Sequence, residues 1–329
     1  MNMTGTTLSL SSLYAPIRAD LSHVQRVFDD ELAGDLAFIN DLCGTVRTYR
    51  GKMLRPALLL LSARAAGEIS SDHHTLAAVV ELVHMATLVH DDVLDEADER
   101  RRQPSIRALA GNRAAVLLGD YLISHAFHLC SQIPCRRASQ RIGATTNTVC
   151  EGEMLQTYSR GNAELPESTY LEIIRRKTGA LTAVCCELGA FYASEDETVV
   201  NALKVFGESA GMAFQIMDDC LDITGDSTTL GKTAGRDFVM GTLTLPTIHF
   251  LRTNEESARR MMLNMFHGLD PVDPPWLRTQ LIHSGAIDHA MSIASGHVSE
   301  ARRQLDALQP SDAKSSLVAM ADFMLARKF

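Results

Sequence analysis

Two groups of aspartates carry the chemistry that this sequence could perform. The first triplet is Asp91, Asp92 and Asp95, and the second triplet, 127 residues later, is Asp218, Asp219 and Asp222. In a helix, the outer carboxylates of such a DDxxD pattern share one face, with Cβ atoms roughly 5–6 Å apart. They repel each other by about 3 kcal/mol at an effective dielectric of roughly 20. A bound divalent cation offsets this repulsion, and oxygen-only ligands suit Mg²⁺.

A single triplet of this kind could be no more than a solvated helix end. Each of the two, however, follows a long apolar helix, and a helix C-terminus disfavours negative charge. Folding alone gives no reason to repeat the arrangement, so the pair favours a metal-binding function. Because Mg²⁺ uses few carboxylates and shares its shell with water and substrate phosphate, a phosphate-bearing ligand fits the pattern.

Cationic residues occupy matching places in the chain. They are Arg100, Arg101 and Arg102 after the first triplet, Lys52 in "RGKMLRP", Lys177 in "RRKTGAL" and Lys232 in "LGKTAGRD". These lysines are three of only six in the chain, and each lies beside glycine or threonine. Any one of them could be an ordinary surface charge. Together with the aspartates they predict a pocket for one or more diphosphates.

Apolar residues with helical periodicity supply the elements that must position these groups. The main predicted helices are residues 53–67, 73–95, 114–133, 137–160, 167–193, 197–226, 284–310 and 315–329. Helix 73–95 is apolar except in its last turns, which predicts a place in the middle of a bundle. No alternating strand pattern or repeat occurs, and "LDPVDPP" is too short to separate domains. The sequence predicts one all-α domain over residues 1–329, and leaves open whether roughly the first 15 residues are ordered.

Composition excludes several other classes of protein. The net charge of −9 argues against nucleic-acid binding, since nucleic-acid binders present basic surfaces. No signal peptide is predicted, because the N-terminal segment has no basic region followed by a sustained apolar core. No membrane span is predicted, because the chain has no run of about 18 uncharged apolar residues. The seven cysteines lack CxxC spacing, which favours free thiols in a reducing cytoplasm. Cys185 and Cys186 are interpreted as buried apolar residues.

The motifs from Lys52 to Pro246 resemble, in their order, those of the trans-isoprenyl diphosphate synthases, the polyprenyl synthetase family. The segments are "GKMLRP", "ELVHMATLVHDDVLDEADERR", "EGEMLQ", "KTGAL", "FQIMDDCLD" and "GKTAGRD". The resemblance implies an isoprenoid-synthase-type helical bundle with a central cavity, in a homodimer. It also implies a prenyltransferase that condenses isopentenyl diphosphate with dimethylallyl, geranyl, farnesyl or geranylgeranyl diphosphate. Ionisation, condensation and elimination would then give an all-trans polyprenyl diphosphate.

The same resemblance implies roles for individual residues. About three Mg²⁺ ions would be held by the six aspartates, with Asp91, Asp95 and Asp218 as the strongest ligands. The allylic diphosphate would be bound by Arg100, Lys177 and Lys232, and isopentenyl diphosphate by Lys52, Arg55, His84 and Arg101. Thr178 and Gln215 would face the reacting carbons and stabilise the cation, which with Lys177 completes the predicted catalytic set. His84 could be an ordinary helix histidine, but it lies on the face of the first triplet.

A few positions depart from the family pattern. Arg102 stands where glycine is common, and Arg50 replaces the first glycine of a GGK segment. Thr242 stands where a lysine is usual, and Met240 where an acidic residue is usual. The change at Thr242 removes one phosphate contact unless Arg236 compensates. Neither change at these last two positions disturbs the predicted metal ligands.

The length of the product depends on the residues that precede the first triplet. Ala86 and Thr87 point along the helix toward the expected tunnel for the growing chain. Both are small, so no aromatic plug is present, and products longer than C15 are expected. A product of C30 or above is favoured over C20. Candidates for the tunnel floor are Tyr121, Phe127 and Met154.

Three other functions are compatible with parts of the pattern. A class I terpene cyclase is all-α and has one DDxxD, but it needs no second diphosphate site and usually has a different second metal motif. A non-catalytic partner subunit typically loses one aspartate triplet, whereas both are complete here. An all-α metal hydrolase, suggested by "VHDD", lacks the further histidine ligands that it would need.

Overall fold

The computed structural model describes residues 10–49, 51–225 and 235–326, and nearly all of them are helical. The all-α prediction is confirmed. Contacts between Cα atoms divide the chain into two compact units. Unit 1 comprises Met1–Thr146, Thr182–Gly207 and Gln304–Phe323, and unit 2 comprises Asn147–Leu181, Glu208–Arg303 and Met324–Phe329. The single domain stays a prediction.

Sixteen α-helices lie in the described ranges. The first ten are α1 (Leu10–Leu13), α2 (Arg18–Glu31), α3 (Ala37–Tyr49), α4 (Leu54–Ala66), α5 (Ser71–Leu94), α6 (Ile106–Ser131), α7 (Arg136–Ser159), α8 (Glu167–Ile174), α9 (Ala180–Phe191) and α10 (Glu197–Thr224). The others are α11 (Arg236–Val239), α12 (Leu245–Thr253), α13 (Glu256–Phe266), α14 (Pro274–His283), α15 (Ala286–Gln304) and α16 (Asp312–Leu325). Of the residues 1–15 whose order was left open, 1–9 lie outside the described residues.

Three kinds of shorter element complete the description. Two 3₁₀ helices cover Ala15–Ile17 and Leu305–Ala307. The predicted helix 167–193 is interrupted by a π-helical turn, Arg175–Gly179, between α8 and α9. Strands β1 (Glu99–Arg100) and β2 (Gln103–Pro104) form an antiparallel hairpin. The sequence pattern did not predict this hairpin, because strands of two residues are too short to show alternation.

Side-chain caps explain where the two longest helices of unit 1 begin. Ser70 caps α5 together with His73, whose Nδ1 accepts the Ser70 N–H at 2.9 Å. Ser105 caps α6 by accepting the N–H of Ala108 at 3.0 Å. The Ser105 hydroxyl also donates to the carbonyl oxygen of Ala97 at 2.6 Å, which ties the hairpin to the start of α6. The bonds to His73 and from Ala108 satisfy N–H groups that have no partner inside a helix.

In unit 1, α5 packs against α2, α4 and α6. Thirteen of its residues are buried along its length, and Leu58–Leu61 of α4 are fully buried. Each such leucine contributes about 1.5–3 kcal/mol by leaving water. These contacts confirm the prediction that the helix before the first triplet lies inside the bundle.

In unit 2, α10 supplies the centre of the core. Ile216, Met217 and Cys220 are fully buried and belong to one apolar cluster with Phe250 and Leu281. Asp218 and Asp219 lie between Met217 and Cys220 in the sequence, and Asp222 follows two residues after Cys220. The same helix therefore anchors the core with one face and holds carboxylates on another.

The cysteines agree with the sequence interpretation. All seven are free thiols, and Cys185 and Cys186 are fully buried. Burial raises the pKa of Cys186 to about 12, so this thiol stays protonated at neutral pH. None of the described helices combines the length and the apolar character that a membrane span requires.

Candidate active site

The first triplet occupies the end of α5. Asp91 and Asp95 are half-buried, whereas Asp92 is fully buried. The N–H of Asp95, the C-cap residue, donates to the carbonyl oxygen of Asp91 at 2.8 Å. At about 100° per residue, Asp91 and Asp95 lie about 40° apart around the helix axis, whereas Asp92 is rotated by about 100° from Asp91 and about 60° from Asp95. The two outer carboxylates are left on the more accessible face.

Arg100 anchors the buried Asp92. Its Nε and Nη2 donate to Asp92 Oδ1 at 2.8 and 2.7 Å. The β1–β2 hairpin turns through Arg101 and Arg102, which have φ angles of 52° and 64°, and this turn brings Arg100 back to α5. An unpaired buried carboxylate would cost several kcal/mol, roughly, in lost hydration. The roles of Asp92 as a metal ligand and of Arg100 as a diphosphate ligand stay predictions.

Arg101 lies against the segment "GKMLRP". Its guanidinium donates to the carbonyl oxygen of Tyr49, and a Cβ added at Gly51 would lie 2.3 Å from Arg101 Nη1. A side chain at this position would displace the end of Arg101 from its contact with Tyr49. The next residue, Lys52, is exposed, and its Nζ lies 5.8 Å from the ring centre of Phe323.

His84 lies among cations. It is half-buried, and burial, followed by the charges of Arg55, Arg101 and Arg100, lowers its pKa well below the usual 6.5. The imidazole is therefore neutral at pH 7. Arg100 is ion-paired with Asp92, and a bound anion would further offset the repulsion among the guanidiniums. Unit 1 thus brings together three of the four residues predicted to hold isopentenyl diphosphate.

The second triplet, on α10, has the same distribution of burial. Asp218 and Asp222 are half-buried, and Asp219 is 6% exposed. Asp219 Oδ2 accepts the hydroxyl of Tyr170 at 2.6 Å, and Oδ1 accepts Nε2 of Gln215 at 2.9 Å. Burial, and then the charge of nearby carboxylates, raises the pKa of Asp219 to about 8, while its two hydrogen bonds oppose the rise.

Lys177 and Thr178 lie in the π-helical turn. The ammonium of Lys177 donates to Gln156 Oε1 at 2.8 Å and forms an ion pair with Glu153. The Thr178 hydroxyl donates to Gln215 Oε1 at 2.8 Å. Single π-helical turns are frequent at functional sites because they displace a side chain from the regular helical face. Unit 2 thus brings all three predicted catalytic residues into one polar region.

Glu153, Gln156 and Tyr170 were missed as site residues by sequence reasoning. The first two belong to "EGEMLQ", which was matched to the family without a role, and their i,i+3 spacing was the available signal. Tyr170 has no local signal, because its partner Asp219 is 49 residues away.

Several predicted residues lie apart from these contacts. Lys232 lies outside the described residues. Ala86 is fully buried, and the hydroxyl of Thr87 donates to the carbonyl oxygen of His84 at 2.8 Å. Of the proposed floor residues, Tyr121 has its ring centre 4.2 Å from that of His125, and Phe127 and Met154 are 38% and 65% exposed. At the departure from the family pattern, the N–H of Thr242 donates to the carbonyl oxygen of Asp237. The exposure of Phe127 and Met154 gives no support to a floor role.

The donor sets fit Mg²⁺ without forming a complete cage. Each triplet presents two half-buried carboxylates. Across residues 10–49, 51–225 and 235–326, no group of three or more His, Cys, Asp or Glu side chains is arranged to hold a metal. Mg²⁺ is typically bound by one or two carboxylates, with water and substrate phosphate completing the octahedron. The outer pairs match that requirement.

Comparison with known proteins gives a consistent result. The Polyprenyl synthetase family model matches residues 37–272, which include both triplets. Heptaprenyl diphosphate synthase component 2 of Bacillus subtilis is 32% identical over 316 residues, or 96% of this chain and 90% of that relative. The geranylgeranyl diphosphate synthase of Methanosarcina mazei is 33% identical over 284 residues, or 85% of this chain and 86% of that relative.

A solved structure extends this similarity to the fold. It is the polyprenyl synthase from Caulobacter crescentus CB15 complexed with calcium and isoprenyl diphosphate. The TM-score is 0.93 at 33% identity, covering 97% of this chain and 98% of that chain.

Proposed function

Because the chain belongs to the polyprenyl synthetase family and is a prenyltransferase, we propose that it condenses isopentenyl diphosphate with an allylic diphosphate. The product is an all-trans polyprenyl diphosphate longer than C15. The allylic C–O bond breaks as diphosphate leaves, C4 of isopentenyl diphosphate bonds to the resulting carbon, and a proton is lost to the released diphosphate. The observation that carries this proposal is the repeated DDxxD triplet, with its middle aspartate anchored and its outer pair half-buried.

The outer aspartates of each triplet hold Mg²⁺ in this proposal. About three ions per site follow from the family resemblance, and they supply Lewis-acid stabilisation of the departing diphosphate. Asp91, Asp95, Asp218 and Asp222 provide the oxygen ligands. Asp92 and Asp219 are held by other side chains of the protein. In this proposal they keep the two helix ends in place, and those helix ends carry the outer carboxylates.

Two groups of cations bind the diphosphates. Isopentenyl diphosphate is held by Arg55, Arg101, neutral His84 and Lys52. This assignment is supported by the guanidinium charges that lower the pKa of His84, among them those of Arg55 and Arg101. Arg100, Lys177 and Lys232 hold the allylic diphosphate. Thr178 and Gln215 orient their oxygen atoms toward the allylic carbons and stabilise positive charge there.

The central experiment measures turnover with labelled isopentenyl diphosphate, Mg²⁺ and each of the C5, C10, C15 and C20 primers. Asp91→Asn and Asp218→Asn are each expected to reduce kcat by about 10²–10³-fold, the size of effect seen when one charge-stabilising group is removed. Product from farnesyl diphosphate without isopentenyl diphosphate would identify a cyclase instead. A purified chain with no turnover on any primer would support the partner subunit.

A product of C30 or above is proposed, with C20 as the alternative, because Ala86 leaves room beside the first triplet. Ala86→Phe is expected to shorten the product. Since Ala86 is fully buried, thermal unfolding must first show that the variant is folded. An unchanged product distribution in a folded Ala86→Phe protein would exclude the tunnel assignment.

A homodimer in a reducing cytoplasm is also proposed. Val116 and Phe127, both after the kink at Gly111 in α6, are 42% and 38% exposed, and their spacing of 11 residues places them on one helix face. An apolar face of this kind favours a second copy of the chain. Light scattering should give twice the chain mass, and Val116→Glu should give a monomer. A heteromer remains the other outcome, since one relative is named as a component.

A further inference from the structure

We propose that Tyr170 is a positioning residue, whose hydroxyl fixes the Asp219 carboxylate and, through Gln215, the direction of the Thr178 hydroxyl. This role rests on the proposed function, in which Asp219 supports the metal ligands and Thr178 stabilises the allylic cation. Nothing in the sequence motifs or the comparisons assigns a role to Tyr170.

The environment of Tyr170 explains why its hydroxyl is committed to one partner. The side chain lies in α8 and is 3% exposed, so its O–H cannot turn to water. It donates to Asp219 Oδ2 at 2.6 Å. This length lies in the short part of the usual range for O–H···O hydrogen bonds, about 2.5–3.0 Å.

Asp219 passes this constraint on to Gln215, one helical turn earlier. Because Tyr170 occupies Oδ2, the other oxygen, Oδ1, accepts the Gln215 amide nitrogen at 2.9 Å. An amide nitrogen can only donate, so the amide is turned with its oxygen away from Asp219. That oxygen accepts the hydroxyl of Thr178 at 2.8 Å.

An ionised Asp219 accepts at both oxygens, and the order of donors is then set from end to end. Tyr170 and Gln215 both donate to Asp219, and Thr178 donates to Gln215. The proton of the Thr178 hydroxyl therefore points at Gln215, and the lone pairs of that hydroxyl point away from it. A hydroxyl oxygen presented in this way stabilises positive charge in a neighbouring substrate. Loss of the Tyr170 hydroxyl would let the Asp219 carboxylate rotate and would release this orientation.

Tyr170→Phe tests the proposal, because it removes the hydroxyl and keeps the ring. The Mg²⁺ concentration for half-maximal turnover is expected to rise about tenfold and kcat to fall about tenfold, as for other groups that orient metal ligands. The KM for isopentenyl diphosphate should stay within about twofold, since a group acting through Asp219 does not reach that ligand. Calorimetric titration of Mg²⁺ in the presence of inorganic pyrophosphate should show affinity about tenfold weaker.

The matched control is Tyr192→Phe. The Tyr192 hydroxyl donates only to a backbone carbonyl, that of Cys135, at 3.3 Å among the described contacts. This variant should change neither the Mg²⁺ requirement nor the titration. Gln215→Met, which removes the second bond to Asp219, is a further variant and should weaken Mg²⁺ binding in the same direction as Tyr170→Phe.

A double-mutant cycle separates positioning from a general effect on stability. If Tyr170 acts through Asp219, then Tyr170→Phe should have little further effect in an Asp219→Asn background. Additive effects, or equal behaviour of Tyr170→Phe and Tyr192→Phe, would overturn the proposal. If the wild-type chain turns over no prenyl substrate, the proposed function fails, whereas the pyrophosphate titration still decides the role of Tyr170.

Discussion

The two aspartate triplets have the same spacing but hold their middle carboxylate by different chemistry. Asp92 is bound by the guanidinium of Arg100, whereas Asp219 is bound by two neutral donors, Tyr170 and Gln215. A cation compensates the charge of a buried carboxylate, but neutral donors do so only in part. Burial, followed by the charge of Asp237, raises the pKa of Asp219 to about 8, and its two neutral donors oppose this rise only in part. In the first triplet the protein itself balances the charge of the middle carboxylate. In the second triplet the balance of charge depends on a bound cation.

The largest expected effect comes from removing the anchor of the first triplet. Arg100→Leu leaves the buried Asp92 carboxylate without its cation, and the free energy of unfolding should fall by about 3–5 kcal/mol. Gln215→Leu removes a neutral donor from Asp219 and should cost only about 1–2 kcal/mol. Urea denaturation of both variants measures the difference.

A double variant controls for lost packing in this comparison. Asp92→Leu combined with Arg100→Leu removes both charges and should recover most of the stability lost in Arg100→Leu. Equal losses in Arg100→Leu and Gln215→Leu would mean that the two anchors do not differ as described.

The second region also depends on a close approach between α7 and the π-helical turn. A Cβ at Gly152 would lie 2.6 Å from Arg176 Cβ and 3.0 Å from the Lys177 nitrogen, so Gly152→Ala should lower the free energy of unfolding by about 1–3 kcal/mol. Gly143, in the same helix, has no atom within 4 Å of an added Cβ. Gly143→Ala should therefore stabilise the protein by up to about 1 kcal/mol. Loss of stability in both variants would point to α7 itself and not to the π-helical turn.

The cations around His84 predict how stability in the first region depends on pH. The folded-state pKa of His84 is lowered, first by burial and then by Arg55. Below about pH 6.5 the unfolded chain takes up a proton that folded His84 does not, so stability falls as the pH decreases. His84→Gln should reduce the slope of unfolding free energy against pH by up to about 1.4 kcal/mol per pH unit between pH 6 and 5.

Chemical denaturation at several pH values checks this slope. The matched control is His283→Gln, at an exposed position on α14, which should leave the slope as in the wild type. An unchanged slope in His84→Gln would show that burial and the cations do not lower the pKa of His84 in the folded chain.

The smallest effect is expected at the turn that returns Arg100 to Asp92. Arg102 has a left-handed φ of 64°, which costs a non-glycine residue roughly 1–2 kcal/mol. Arg102→Gly removes this strain, although the greater freedom of glycine in the unfolded chain offsets about 0.4–1 kcal/mol. The net gain should be about 0.5 kcal/mol, seen as a small rise in Tm. Arg102→Ala keeps the strained Cβ and should give no such gain.

Much of the structure around the first triplet could be predicted from the sequence, because the residues that form it are close together in the chain. Helix α5, the triplet at its end and the arginines that follow it all lie within residues 71–102. Arg102 was recognised as a departure from glycine, and its left-handed backbone shows why glycine would suit that turn. The two-residue strands were not predicted, since so short a hairpin is set by its contacts with Ser105 and α5 and not by alternation.

Around the second triplet, the sequence predicted the site residues but not the residues that they contact. Lys177, Thr178 and Gln215 were chosen by resemblance, but the π-helical turn that carries the first two had no pattern distinct from a helix. The partners of Lys177 are more than 20 residues away, with Gln156 at 21 positions. Contacts over such distances depend on how helices pack, which local periodicity does not encode.

The sequence by itself determined the helical class and the pairing of the outer aspartates, because 3.6 residues per turn places positions i and i+4 on one face in any helix. It also determined the family, through the order of its motifs. Only the tertiary structure decided that Arg100 holds Asp92 and that Tyr170 holds Asp219, since a buried carboxylate takes whichever donor the packing brings within about 3 Å. The identity of that donor fixes how much of each triplet's charge is left for a metal ion.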